Sequence, residues 1–151
     1  MNKIRNTAVL TVLMLFTAIL AQAKPVKPRH MYMFGFSASF KDSTIYVTDI
    51  QDVQGAWMDN KTKFLLGRDN YSYQLKQHFT DKLQQPDRIC IVFFATSRSK
   101  AEKQRQKLMR KYIPNPKRKK QYRKPYDIYY LTAADFKFEP IDMSPDEQQK
   151  Q

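Results

Sequence analysis

Arg88–Ile113 reads RICIVFFATSRSKAEKQRQKLMRKYI. Residues 89–95 of this stretch are an unbroken apolar run without Gly or Pro. Seven residues is strand length and too short for a helix, and Ile89, Ile91, Val92, Phe93 and Phe94 favour a pleated surface. Because both faces are apolar, the strand is expected to be central and covered on both sides. A helix follows directly. Ser99-Lys100-Ala101-Glu102 fits a capping box, in which the Ser hydroxyl and the Glu carboxylate each satisfy a free backbone N–H. Ala101, Leu108, Met109, Tyr112 and Ile113 recur at helical spacing as a buried stripe, and Pro114 ends the helix. The opposite face is almost wholly Lys, Arg and Gln. One buried strand therefore carries one helix with a cationic outer face.

Working towards the N-terminus, a second helix is expected over about residues 70–84, capped by Asp69 or Asn70. Tyr71, Leu75, His78, Phe79 and Leu83 form its stripe, and Pro86 follows. Residues 51–68 show little periodicity, and Trp57 and Phe64-Leu65-Leu66 are expected to dock them onto the core. Residues 31–40 (MYMFGFSASF) and 44–50 (TIYVTDI) read as two strands joined by Lys41-Asp42-Ser43, a hairpin length that predicts an antiparallel pair. Gly35 inside the first strand marks a bulge or a close backbone approach. KPVKPRH at 24–30 is expected to be an extended, solvated basic arm, with His30 in water. Residues 1–23 have the form of an export signal: Lys3 and Arg5, then apolar Ala8–Leu20, then Ala21-Gln22-Ala23 as a cleavage site. Cleavage after Ala23 leaves Lys24–Gln151, 128 residues, in the periplasm or outside the cell.

Towards the C-terminus, Pro114–Pro125 bound a loop containing KRKKQYRK. YDIYYL at 126–131 reads as a further strand, 132–135 as a short turn and KFEPI as extended chain. Residues 142–151 are a polar tail. The order β-β-α-β-α-β over 31–141 predicts a single α+β domain with helices packed on the sheet.

Charge is concentrated. The chain carries a net +13, and the mature form +11 once Lys3 and Arg5 are removed. Residues 98–124 hold thirteen Lys or Arg and one acid, Glu102, so the rest of the mature chain is close to neutral. Self-repulsion of this size has a cost, and the excess continues from the helix into a loop containing Tyr122. Guanidinium, ammonium and a stackable ring thus occur together. The candidate polyanion-binding residues are Lys100, Lys103, Lys107, Arg110 and Lys111 on the helix. Lys117, Arg118, Lys119, Lys120, Tyr122, Arg123 and Lys124 join them from the loop. Fitting partners are anionic lipid or glycan headgroups, an acidic protein, or extracellular nucleic acid. A structural envelope component with a merely solvated basic face is the alternative.

Catalytic chemistry has less support. Two histidines, His30 and His78, and one cysteine, Cys90, form no metal-ligand spacing. No cofactor is implied. Three glycines leave no phosphate-cradling loop and no G-x-S-x-G. The aspartates fall at turns and element ends, where they serve as caps. Cys90 reads as a small buried hydrophobe.

Phe34-Gly35-Phe36, Ile45-Tyr46-Val47, QLKQH at Gln74–His78 and SKAEKQRQ at Ser99–Gln106 follow one another in an order that resembles GIY-YIG nuclease domains, over about 31–113. The resemblance implies an α+β fold and a nuclease-like site using Tyr46 and His78. It departs from the family at the catalytic positions. The first motif lacks its Tyr after Gly35, Val47-Thr48 stands for Ile-Gly, Gln74 for the catalytic Arg, and Gln104 or Arg105 for the metal-binding Glu. A cation at that last position repels a metal. The resemblance thus implies the fold and speaks against the activity, with an exported nuclease or nucleic-acid-binding protein as the alternative function.

Overall fold

A computed structural model describes residues 24–113 and 126–144. Residues 1–23, which carry the expected export signal, the whole Pro-bounded loop (114–125) and the end of the tail (145–151) lie outside the described residues. The fold is α+β. Its strands are β1 (Pro25–Val26), β2 (Tyr32–Ala38), β3 (Thr44–Thr48), β4 (Gln51–Asp52), β5 (Met58–Asp59), β6 (Ile89–Ala95) and β7 (Asp127–Leu131). Its helices are α1 (Arg68–Asp81) and α2 (Arg98–Met109).

The expected hairpin forms, with Phe36 opposite Val47 and Ala38 opposite Ile45. β6 pairs with β2 along the whole length of both strands, from Tyr32–Ala95 to Ala38–Ile89. The lateral order is β6-β2-β3-β7, with β4 beside the first residues of β2. The register steps by one residue between β3 and β4. Val47 faces Phe36, yet Asp52 rather than Gln51 faces Tyr32, so the chain absorbs one extra residue around Asp49–Ile50. β7 pairs in parallel with β3, whereas the other strand pairs of this sheet among the described residues are antiparallel.

The central strand is therefore β2, and the expectation for residues 89–95 is corrected: β6 is an edge strand. Its two apolar faces are real. Cys90, Val92 and Phe94 face the core formed with α1, and Phe93 faces the core formed with α2. A helix on each face, not a strand on each side, accounts for the run. Ile89 and Ile91, at the far end from the α2 start, remain 48% and 37% exposed. The free edge is partly closed by Arg68, whose Nε donates to the Val92 carbonyl at 3.2 Å while its guanidinium lies 5.9 Å from the Phe94 ring centroid. A charge on an edge strand discourages further pairing.

The sheet divides the core. Tyr71, Leu75 and Phe79 of α1 pack with Met33, Val92, Phe136 and Phe138 on one side. Met109 of α2 packs with Phe34, Phe36, Ile45 and Val47 on the other. Gly35 is a close approach rather than a bulge. A Cβ there would lie 2.5 Å from Leu75 Cδ2, and its N–H donates to Thr48 Oγ1 at 2.8 Å.

Several local expectations change. α1 starts after Gly67, which adopts φ 66°, a left-handed conformation that glycine takes without strain, and Asp69 lies in its first turn instead of capping it. Leu83 falls beyond the helix and is exposed. α2 starts at Arg98 after Ser97, without a side-chain cap. Ser99 is thus inside the helix, and Glu102 pairs with Arg98 at 3.2 Å instead of reaching back to an N–H. Ile113 lies past the helix and is exposed. Leu65 docks on the core as expected, while Phe64 stays exposed. The arm is not a solvated segment: β1 pairs antiparallel with β5, and His30 Nδ1 lies 2.7 Å from Asp52 Oδ2.

Candidate functional site

Rotation of α2 is set by what it buries. Ala101 and Met109 are buried, and Leu108 and Tyr112 pack against the Phe34 cluster. The Tyr112 ring lies 5.2 Å from that of Phe36. With this stripe facing the sheet, Lys100, Lys103, Lys107, Arg110 and Lys111 are all exposed. Among the described residues none of the five forms an ion pair.

The position of these charges along the helix matters. Cations near a helix C-terminus, such as Lys107 and Arg110, are favoured by the helix dipole, whereas cations in the first turn oppose it. α2 has no acid in its first turn, and Arg98 and Lys100 stand there. Helix stability accounts for one end of the cationic face and not for the other.

Lys117, Arg118, Lys119, Lys120, Tyr122, Arg123 and Lys124 lie outside the described residues. The residues on either side of that loop are described, and the rings of Tyr112 and Tyr126 are 5.2 Å apart. Tyr112 and Tyr126, which flank it in sequence, thus meet beside the C-terminal end of α2.

Below the cationic face, α2 forms one wall of two adjoining clefts. The larger, of about 490 Å³, lies between the start of α2, the β3–β4 bend and the turn after β7. Arg98, Arg105 and Lys137 line it, balanced by Asp49, Asp52 and Glu102. The smaller, of about 330 Å³, is lined by Ile50, Met109 and Tyr130 together with Arg105, Gln106 and Glu102. The Arg105 guanidinium lies 5.4 Å from the Tyr130 ring centroid. Sequence reasoning missed this cleft. YDIYYL was legible as a strand, and two adjacent tyrosines, one on each face of a strand, were the available signal; which element would meet Tyr130 was not.

The nuclease-like pair sits elsewhere. Tyr46 is on the α1 side of the sheet, its ring 4.9 Å from Phe79 and 5.4 Å from Tyr129. Its hydroxyl accepts a 3.4 Å hydrogen bond from Gln85. His78 packs against Phe136 at 5.3 Å, and burial lowers its pKa below the ordinary 6.5, partly offset by Asp135. Glu102, Gln104 and Arg105 belong to α2, on the opposite side of the sheet. The fold thus does not bring Tyr46 and His78 together with the α2 positions at which the resemblance needs a carboxylate. Among the described residues no group of three or more His, Cys, Asp or Glu is placed to hold a metal ion.

The scattered aspartates act locally. Asp59 accepts from the N–H groups of Lys61 and Thr62, which lower its pKa, and Asp135 accepts from Thr132 with the same effect. Cys90 is half-buried, its thiol pKa raised by burial, with Sγ 3.6 Å from Ser37 Oγ. Compared with known proteins, the chain matches no family model, no curated protein and no solved structure.

Proposed function

We propose that this protein is an exported, non-enzymatic binding domain that engages a polyanion through the outer face of α2 and the basic loop that follows it. The observation that carries the reading is the exposed row Lys100, Lys103, Lys107, Arg110 and Lys111, without a counter-charge among the described residues. It extends into the first helical turn, where cations oppose the dipole. The dipole favours Lys107 and Arg110 at the other end, so the charge at the start of the row, which neither packs nor stabilises its own helix, is what an external anion best accounts for. The signal-like residues 1–23 support export, and N-terminal sequencing of the secreted form tests it: that form should begin at Lys24.

Binding driven by such a row depends on counterion release. On duplex DNA each phosphate contact contributes about −0.9 to the slope of log affinity against log salt, so five contacts give a slope of about −4.5. Between 50 and 200 mM salt the affinity should then fall about 500-fold. Changing Lys100, Lys103 and Lys107 to Gln should flatten the slope by about 2.7. The melting temperature should stay nearly unchanged, because exposed charges contribute little to stability. Binding to DNA, heparin and anionic vesicles is measured for parent and variant across that range. A parent that binds none of them at 50 mM would show that the face is only solvated.

A further inference from the structure

We infer that the cleft between α2 and β7 is a nucleobase site, and that the polyanion of the preceding reading, on which this inference rests, is a single-stranded nucleic acid. Tyr130 is the first reason. The residue is 54% exposed on an edge strand, and its ring has the Arg105 guanidinium beside it. An exposed ring with a planar cation at its side is a stacking platform for a flat, electron-rich partner. The second reason is the lining. Ile50 and Met109 provide apolar walls, and Glu102 and Gln106 place hydrogen-bonding groups at the rim of a cleft of about 330 Å³, within the range of small-ligand sites.

The third reason is how this cleft meets the cationic face. Glu102, Gln106 and Met109 line the cleft. Lys103, Lys107 and Arg110 each follow one of them in sequence, and all three are exposed. One residue is about 100° of helix rotation, so the cations form a row parallel to the cleft residues and one step outside them. The site therefore sets a ring position, whose own charges Arg105 and Glu102 balance, apart from a line of unbalanced positive charge.

That separation selects the ligand. A nucleotide carries its charge on the phosphate and none on its base, so the base can enter the cleft while the phosphates follow Lys103, Lys107 and Arg110. A sulfated glycan has saturated, puckered rings that offer no flat π face to stack on Tyr130. Glu102 suits a base, whose amino and imino N–H groups donate to a carboxylate. A duplex keeps its bases stacked and paired, so a base reaches the cleft only from a single strand.

The test compares two oligomers of equal phosphate count: a fluorescently labelled, mixed-sequence single-stranded DNA 12-mer and its fully abasic counterpart. Anisotropy titrations at 50 mM salt use the mature protein, with Tyr130→Ala and Tyr130→Phe variants. Stacking on one aromatic ring corresponds to about 5- to 150-fold in affinity per base. The parent should therefore favour the base-bearing oligomer by at least about fivefold. Tyr130→Ala should remove that preference and leave the abasic affinity unchanged, and Tyr130→Phe should retain it. Equal binding of both oligomers by the parent, or equal weakening of both by Tyr130→Ala, overturns the nucleobase site. In that case the polyanion reading survives, provided the abasic oligomer, heparin or anionic vesicles bind. If none of these anions binds, the polyanion reading itself falls, and the nucleobase site with it.

Discussion

Arg88 offers the sharpest test of how the fold is held. It is a charged side chain only 4% exposed. Nη1 donates to the Thr44 carbonyl at 2.9 Å, and Nη2 donates to both Asp42 oxygens at 3.2 and 3.0 Å. Nε bonds the Gln85 side chain, and the guanidinium lies 4.6 Å from the Tyr46 ring centroid. It ties the start of β6 to the start of β3, across the end of the sheet at which β2 turns into β3. Arg88→Met keeps an unbranched stem and removes the whole set. Breaking a buried pair by deleting one partner costs about 3–5 kcal/mol, largely because the surviving partner is left without a counterpart. Here the Asp42 side chain is 43% exposed and regains water, so the lower end applies, about 3 kcal/mol. For a domain of this size that corresponds to a fall in melting temperature of about 10 °C. The comparison is Lys41→Gln, which removes the exposed Lys41–Asp87 pair and should shift melting by no more than about 3 °C. Both variants are measured by thermal circular dichroism against the parent. If Arg88→Met melts as the parent does, the guanidinium is not a tie between β6 and β3, and the argument from its partners is wrong.

Gly35→Ala places a methyl group 2.5 Å from Leu75 Cδ2 and 3.2 Å from Thr48 Cγ2. Because Leu75 is itself buried, the overpacking should cost about 1–3 kcal/mol, read as a lower urea midpoint; an unchanged midpoint would mean that α1 yields freely. For His78, the lowered pKa means that the unfolded chain binds more protons between the folded value and the ordinary 6.5. This group's contribution is thus fully present above pH 6.5 and is lost as pH falls through that window. Ring-proton NMR should show His78 titrating below 6.5, and His78→Asn should flatten the stability profile there; a titration at or above 6.5 would refute the burial argument.

The edges of the sheet bear on the function as well as the fold. β6 is blunted by Arg68, while β7 presents Tyr129 and Tyr130, both about half exposed. Tyr129 is partly accounted for by its stack on Tyr46. Tyr130 has only the Arg105 side chain as a ring or cation neighbour among the described residues, which is why the nucleobase inference begins there.

The features set by the sequence alone are the local ones. The apolar runs at 31–40 and 44–50, joined by three polar residues, were sufficient for the β2–β3 hairpin. The 3.6-residue spacing of Ala101, Leu108, Met109 and Tyr112 was sufficient to turn α2 and leave its five cations outward. These signals depend on side-chain chemistry within a few residues, which the sequence states directly. The tertiary structure decided the lateral order: β6 at the edge, β2 at the centre, β7 inserted in parallel beside β3, and the arm paired with β5 instead of solvated. It also decided the burial of Arg88 and the meeting of Arg105 with Tyr130. The reason is physical. Which faces of a strand are covered is written in its apolar pattern, because burial selects side chains. Which strand lies beside it is set by backbone N–H and C=O groups, and these are nearly the same in every residue. An apolar run such as 89–95 therefore reported a helix on each face and was silent about its neighbours in the sheet.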